Sequence, residues 1–379
     1  MKILTLSTFG ERCGIATYND ALMSALGRSG ACVDVHAVET ATARTRSKQG
    51  MLHHFDAFGA KIDAYDAIII QHEYGLFGGR YTSGLAQKVF ARLMSRVAAA
   101  GKPTAVIFHS EPRTSHRILS RKRVNWARIC RLINDNPQIF AVVHGNTAEG
   151  QYVEAGLSPA SIWATRHPLP APRIIPRRSA GDEIVLTIFG FVAKYKGYDE
   201  AIEALDNLPE RYRLVIAGGT HPGNAMDDTF ERLKEREGAR LEITGWLEEE
   251  DIAAVMARTD IVLAPYHRNG PAGSGAVTWA ICHGRPVIAS QTVSFSEIQE
   301  EAGCFAMVPP GDAQALADAI RTVAEDDALK AQMVERGLAY TRKYSWAGMA
   351  DRLLHRLQAH RGGDRHVARR SEEPLLALR

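Results

Sequence analysis

The side chains of this chain best suited to chemistry are a few cations and histidines set beside bare glycines. In Phe189-Gly190-Phe-Val-Ala-Lys194-Tyr-Lys196-Gly197-Tyr198, Gly190 permits close backbone approach and Lys196 stands where a helix is about to start. A cation beside a helix N-terminus suits a phosphate or diphosphate; a solvated surface lysine is the plain alternative. The stretch Ala264-Pro-Tyr266 to Gly270-Pro-Ala-Gly273-Ser274-Gly275, continuing to Gly284-Arg-Pro286, sets a glycine-rich loop between a strand and a short helix. Such a loop aims backbone N–H groups at an anion, with Ser274 as cap or ligand, or else serves as a tight crossover without a ligand. Near the start, Thr8-Phe-Gly10-Glu-Arg-Cys-Gly14-Ile-Ala-Thr-Tyr18 offers Gly14 for contact with a phosphate or sugar, and reads equally as a plain strand-to-helix turn. None of these stretches is G-x-G-x-x-G, which argues against a dinucleotide-dependent dehydrogenase. His109 closes the run Val106-Ile-Phe-His109, and His72 and Glu73 follow another apolar run in Gln71-His72-Glu73-Tyr74. A Glu–His pair is one arrangement among many for proton transfer; a hydrogen-bonded histidine at a sheet edge is the alternative for His109.

The elements that must position these residues follow from patterning. Short apolar runs at Lys2–Leu6, Val33–Val38, Ala67–Ile70, Ala105–Phe108 and Ile139–Val143 read as buried strands, with helical stretches such as Tyr18–Leu26 between them. A second alternation runs through strands at Ile184–Phe189, Tyr212–Ala217, Leu241–Thr244, Ile261–Ala264 and Pro286–Ala289. Its helices are expected at Tyr198–Leu205, Thr229–Glu237, Glu249–Arg258, Ala276–Cys282 and Asp312–Glu325. Buried strands alternating with helices are the signature of parallel, doubly wound α/β sheets. Four prolines fall within Pro168–Pro176, which disfavours helix and reads as an extended hinge. The expected domains are therefore 1–168, a hinge over 169–181, and 182–345, two Rossmann-like halves facing a cleft. Trp346, Met349, Leu353, Leu354 and Leu357 share one helix face; the helix 346–360 is expected to pack back on the first domain, and 361–379 to be a flexible tail.

Length and charge bound the function. At 379 residues the chain exceeds one typical core, and 46 Lys+Arg against 43 Asp+Glu leaves a net charge of +3. That balance excludes bulk nucleic-acid binding, so any anion must be gripped by a local cluster. The five cysteines are odd in number and lack C-x-x-C spacing, arguing against a disulfide framework or zinc site. No signal-peptide core or membrane-length apolar run is present, so a cytoplasmic location is expected.

The order of motifs in the second half resembles family 4 (group 1) glycosyltransferases of the two-domain GT-B fold. Gly190 to Gly197 is similar to the family's G-R-L-x-x-x-K-G, Gly245-Trp-Leu with Asp260-Ile-Val-Leu-Ala-Pro265 to its F-x-G…A-D-x-x-x-x-P stretch, and Trp279-Ala-Ile-Cys-His-Gly284-Arg-Pro286-Val-Ile-Ala-Ser290 to E-A-M-A-x-G-x-P-V-V-A-S. Glu297 and Pro310-Gly-Asp312 follow as in the family, and Gly14-Ile-Ala-Thr-Tyr18 and His109 extend a looser likeness into the first half. The resemblance implies sugar transfer from a UDP- or GDP-linked donor, with retention, without a metal or other cofactor, as in polysaccharide biosynthesis. It implies a donor site of Gly14, Gly190, Lys196, Gly245, Gly273, Ser274, Gly275 and Glu297, with His109 facing the transferred sugar. The sequence departs from the pattern at the family's paired glutamates, which align with Pro271 and Trp279. It departs again at the arginine, which aligns with Phe191, leaving Lys196 with Lys194 or Arg268 in support.

Pro112 to Asn134 contains Arg113, Arg117, Arg121, Lys122, Arg123, Arg128 and Arg131 and no acidic residue, with interleaved Val124, Trp126, Ile129 and Leu132. This amphipathic stretch is either solvated helix surface or a docking face for an anionic membrane or a phosphorylated, lipid-linked acceptor, with Arg113 and Arg117, together with His72 and Glu73, on the acceptor side. A glycosyltransferase acting on a glycan, lipid-linked or small-molecule acceptor is the favoured reading. A catalytically silent nucleotide-sugar-binding or scaffold protein, and another GT-B sugar enzyme such as an epimerase or phosphorylase, are the alternatives.

Overall fold

The structure is a computed structural model that describes residues 1–11, 13–39, 47–78, 83–113, 120–177, 181–220, 228–267 and 275–361. The chain divides into two compact units, one of Met1–His167 with the chain from Trp346 onward, the other Pro168–Ser345.

In the first unit the elements run β1 (Lys2–Ser7), α1 (Gly14–Arg28), β2 (Cys32–Ala37), α2 (Lys48–Gly59), β3 (Ala67–His72), α3 (Tyr74–Gly78), α4 (Ser83–Ala100), β4 (Thr104–Phe108), α5 (Arg121–Asn134), β5 (Ile139–His144), α6 (Asn146–Glu154) and β6 (Ile162–Thr165). The strands form one parallel sheet in the order β2-β1-β3-β4-β5-β6. β1, β3 and β4 are buried along almost their whole length, which is why they read as unbroken apolar runs. Helices cover both faces: Phe55, Phe58, Phe90, Met94 and Ile129 on one, Leu22 and Leu26 on the other.

The second unit continues with β7 (Ile184–Phe189), α7 (Tyr198–Asp206), β8 (Tyr212–Ala217), α8 (Thr229–Lys234), β9 (Leu241–Ile243), α9 (Glu249–Arg258), β10 (Ile261–Ala264), α10 (Gly275–Cys282), β11 (Val287–Ser290), α11 (Val293–Ala302), β12 (Phe305–Val308), α12 (Ala313–Glu325) and α13 (Asp327–Lys343). Its sheet is also parallel, in the order β12-β11-β10-β7-β8-β9. The last helix, α14 (Trp346–Arg361), returns to the first unit. There Met349, Leu353 and Leu357 are buried beside Ile3, Tyr18, Leu22 and Ile69, each such aliphatic side chain contributing roughly 2 kcal/mol.

The doubly wound α/β architecture expected from patterning is thus present. β6 and β12 escape the pattern because each is only four residues long and lies at a sheet edge. The proline-rich segment read as a hinge is fastened to the second unit. Leu169 N–H donates to Tyr344 O (2.9 Å), Arg173 N–H to Cys282 O (2.8 Å), the Arg285 guanidinium to Ile175 O (2.7 Å), and Arg177 pairs with Asp260. Proline removes donors but not acceptors, and the non-proline residues between supply the rest.

In each sheet the strand order reverses once, between β1 and β3 and between β7 and β10. The helices that follow the two strands of each pair pack on opposite faces of the sheet, and in open α/β sheets ligands generally bind beyond the carboxyl ends of strands at such a reversal.

Candidate functional site

In the second unit the reversal point is built from the residues just after β7 and β10. Gly190 follows β7 at φ 95°, and a Cβ there would lie 3.0 Å from Lys196 Nζ and 3.1 Å from Ala276 Cβ, in the first turn of α10. Gly190, Lys196 and the start of α10 therefore share one place. Lys196 ends a short 3-10 turn, Lys194–Lys196, and Gly197 (φ 72°) turns the chain left-handed to start α7. A side chain at Gly197 would collide with the Pro265 carbonyl, so the tight passage from β10 demands glycine.

Lys196 is not a solvated lysine. It is 3% exposed, its Nζ donates to Phe189 O at 2.7 Å, and it lies 5.8 Å from the centre of the Tyr266 ring. Burial pushes the amine down to about 7 because a charged group loses hydration there. Among the described residues, one carbonyl and a ring face are its partners, fewer acceptors than an ammonium can use, and an incoming anion would supply more.

Around this point the backbone is stripped of side chains. A Cβ at Gly218, after β8, would overlap the Gly190 carbonyl, and one at Gly219 would lie 2.9 Å from Trp246 N. Gly245 (φ 75°) follows β9 and faces open space. Phe191, where the family pattern has arginine, rests against Trp246 with ring centres 5.4 Å apart. Gly275 is the first residue of α10 and also faces open space. Trp279, where the pattern has glutamate, stacks on His283 with ring centres 5.6 Å apart. Glu297 is half-buried on α11. Lys194 is exposed. Gly273, Ser274, Arg268 and Pro271 lie outside the described residues, as does Arg117.

In the first unit, histidines collect at the carboxyl ends of neighbouring strands. His144 ends β5, His109 follows β4 and His167 follows β6. All three surround the Tyr18 ring of α1, at centroid distances of 5.5, 4.8 and 5.4 Å. Tyr18 Oη lies 3.1 Å from His144 Nε2. Burial, with the nearby His167, lowers His109 to about 3, and the same causes hold His144 well below its ordinary value. His109 and His144 are thereby held as neutral imidazoles. Gly14 opens α1, where Cys13 Sγ accepts from Ala16 N–H as the cap. A side chain at Gly14 would meet nothing within 4 Å, so packing does not impose glycine there.

The acceptor-side candidates scatter. His72 is buried among Tyr74, Phe77, Phe90 and Phe108 and lowered to about 3 by that burial, so it lines no open surface. Glu73 is half-buried, and its carboxylate accepts from Gly75 N–H at the start of α3. Arg113 is exposed and lies over the Tyr74 ring at 4.8 Å. Tyr18, His144 and His167 were not singled out as site residues by sequence. The available signal was a histidine at or just past the end of each of β3, β4, β5 and β6, which becomes visible once β6 is recognised as a strand.

Among the described residues, no group of three or more His, Cys, Asp and Glu side chains is disposed to hold a metal ion, and no helix is long and apolar enough to cross a membrane. Within the basic stretch, Arg121–Asn134 forms α5, with Trp126, Ile129, Cys130 and Ile133 inward. Val124, expected to share that apolar face, is instead 57% exposed. Together with Leu52 of α2 and with Lys88, Arg92, Arg121 and Arg128, it lines a groove of about 650 Å³ between α2, α4 and α5.

These two units match known proteins. Residues 183–326 match the sequence model of the family described as Glycosyl transferases group 1. Among curated relatives, the chain is 29% identical over 187 residues to a D-inositol 3-phosphate glycosyltransferase of Corynebacterium glutamicum, covering 47% of this chain and 44% of that protein. It is 28% identical over 174 residues to a phosphatidyl-myo-inositol mannosyltransferase of Mycobacterium leprae, covering 43% and 44%. The chain thus spans less than half the length of these relatives. HepE of Anabaena, solved in complex with UDP-glucose, superposes with a TM-score of 0.69 at 19% identity over 95% of this chain and all of that one. A sucrose-phosphate synthase of Thermosynechococcus elongatus gives 0.70 at 16% over 96% and 100%. The fold is GT-B, and the resemblance of the second unit to group 1 glycosyltransferases is borne out.

Proposed function

We propose that this chain is a glycosyltransferase that moves a sugar from a nucleotide-diphosphate donor to a glycan, lipid-linked or small-molecule acceptor, with retention of configuration and without a metal ion. The observation that carries the reading is the buried Lys196 amine beside Gly190 and the first turn of α10, at the strand-order reversal of the second sheet. In the reaction the bond from the anomeric carbon to the donor phosphate breaks and its electron pair leaves with the diphosphate. The acceptor oxygen forms the new bond and its proton passes to a departing phosphate oxygen. Lys196 and the α10 N-terminus stabilise the charge that gathers on the leaving group, in a site with little water to screen it.

Gly190, Gly245 and Gly275 let the donor approach the backbone, Glu297 lies on the donor side, and His109 faces the transferred sugar. Gly14, unconstrained by packing, sits near the donor phosphate or the acceptor. With Trp279 in place of a carboxylate, the ribose is held by groups other than the family's glutamate. The relatives' names, which specify inositol phosphate and phosphatidylinositol, support a phosphate-bearing polyol acceptor. The α5 groove, with four cations around Leu52 and Val124, supports peripheral contact with an anionic lipid surface.

The test is release of free nucleoside diphosphate from UDP- and GDP-sugars in the presence of polyol phosphate or lipid-linked acceptors. Acceptor-dependent release that vanishes in Lys196→Ala supports transfer, whereas wild-type release in that variant contradicts the clamp. Missing carboxylates at Pro271 and Trp279 favour the second reading, a nucleotide-sugar-binding protein without catalysis, which predicts binding with no donor consumed. Release without any acceptor would instead indicate an epimerase- or phosphorylase-like reaction.

A further inference from the structure

At the strand-order reversal of the first sheet, a buried amide network holds one face of His109. Gln71, on β3, is 0% exposed. Behind it, Asn19 of α1 donates through Nδ2 to Met23 Sδ (3.0 Å), which turns Asn19 Oδ1 toward β1 and β3. That oxygen accepts from Thr5 Oγ1 (3.1 Å) and, at longer range, from Gln71 Nε2 (3.5 Å). With its NH2 group turned to Asn19, Gln71 presents Oε1 to His109 Nε2 at 2.7 Å. A carbonyl oxygen only accepts, so His109 must carry its proton on Nε2, and Nδ1 keeps its lone pair.

We propose that Gln71 is a positioning residue that fixes His109 as the Nε2–H tautomer, so that Nδ1 accepts a hydrogen bond from a hydroxyl of the transferred sugar. This rests on the sugar-facing reading of His109. The arrangement has a chemical reason. As the diphosphate departs, the sugar ring gains positive charge, and an imidazolium beside it would oppose that change, whereas a neutral acceptor orients the ring without repelling it. The groups that face His109 agree with neutrality: Tyr18 edge-on from α1, and His144 and His167 from the ends of β5 and β6, with His72 beside it at the end of β3. Among the described residues, none of these groups is a carboxylate that would hold a second proton on the ring.

The experiment is long-range proton–nitrogen NMR on the full chain labelled at histidine, for wild type, Gln71→Met and Gln71→Glu, read beside donor kinetics. Wild type is expected to show a single His109 tautomer protonated on Nε2. Gln71→Met, which removes the acceptor, should give mixed tautomers and lower kcat tenfold or more with less than a twofold change in the donor KM. Gln71→Glu keeps an acceptor, so it should retain the Nε2–H tautomer and raise the His109 pKa. It should recover kcat relative to Gln71→Met at pH values where the ring is neutral. An unchanged tautomer in Gln71→Met, or no upward pKa shift in Gln71→Glu, would overturn the positioning role. A changed tautomer with unchanged donor turnover would overturn the sugar contact and leave the amide relay standing.

Discussion

Lys196 Nζ donates to the carbonyl oxygen of Phe189, 2.7 Å away, at the end of the central strand of the second sheet. Among the described residues the amine is held at the strand edge by one neutral acceptor, and burial brings its pKa down to about 7. A bound diphosphate favours the ammonium form and raises that pKa. Affinity for a nucleotide-sugar, whose diphosphate diester does not itself titrate near neutrality, should therefore be fully developed below pH 7. It should weaken above it, by up to about tenfold per pH unit. Calorimetric titrations between pH 6 and 9 check this, and Lys196→Met should flatten the profile.

Gly197 at φ 72° passes so close to Pro265 that a Cβ would strike that carbonyl. Gly197→Ala adds left-handed strain of roughly 1–2 kcal/mol to this clash. The variant should lose at least about 2 kcal/mol of stability in urea unfolding, whereas Gly14→Ala, at a position open to space, should lose little.

His72 and His109 are buried as neutral imidazoles with pKa values near 3, and His144 lies well below its ordinary value. In the unfolded chain each titrates near 6.5, so between about pH 6.5 and 3 unfolding takes up protons and stability must rise with pH. Lowering the pH from 7 toward 4 should thus weaken the fold, each such histidine costing up to about 1.4 kcal/mol per pH unit below about 6.5. His72→Phe, set among four rings, should remove one proton from that uptake, as read from the slope of unfolding free energy against pH.

The cationic groove on α5 predicts sedimentation with vesicles containing anionic phospholipid and none with purely zwitterionic ones. Replacing Arg121 and Arg128 by Glu should abolish the association at low salt, and 0.5 M salt should weaken it in wild type through screening. Association insensitive to both changes would remove the groove from the account.

The alternation of apolar runs made both sheets legible, since most central-strand residues are buried on both faces and polar ones such as Thr5, Gln71 and Thr187 are few. Gly190 and Lys196 were legible as well, because seven residues of local sequence carry both. The burial of Lys196 was not, for the Tyr266 ring beside it arrives just after β10, seventy residues later. The ring of His109, His144 and His167 around Tyr18 escaped for the same reason. Its members lie on different strand ends and meet only through the sheet order. Cys13 acts as a helix cap, a place usually taken by Ser, Thr, Asp or Asn, and so gave no capping signal.

The most direct measurement is calorimetric titration of the intact chain with UDP-glucose, GDP-mannose and ADP-glucose, repeated on Lys196→Met. The account predicts that at least one donor binds in the micromolar range and that the substitution weakens it tenfold or more without lowering the melting temperature. Binding of none of the three, or equal binding by the variant, would contradict a diphosphate gripped by Lys196.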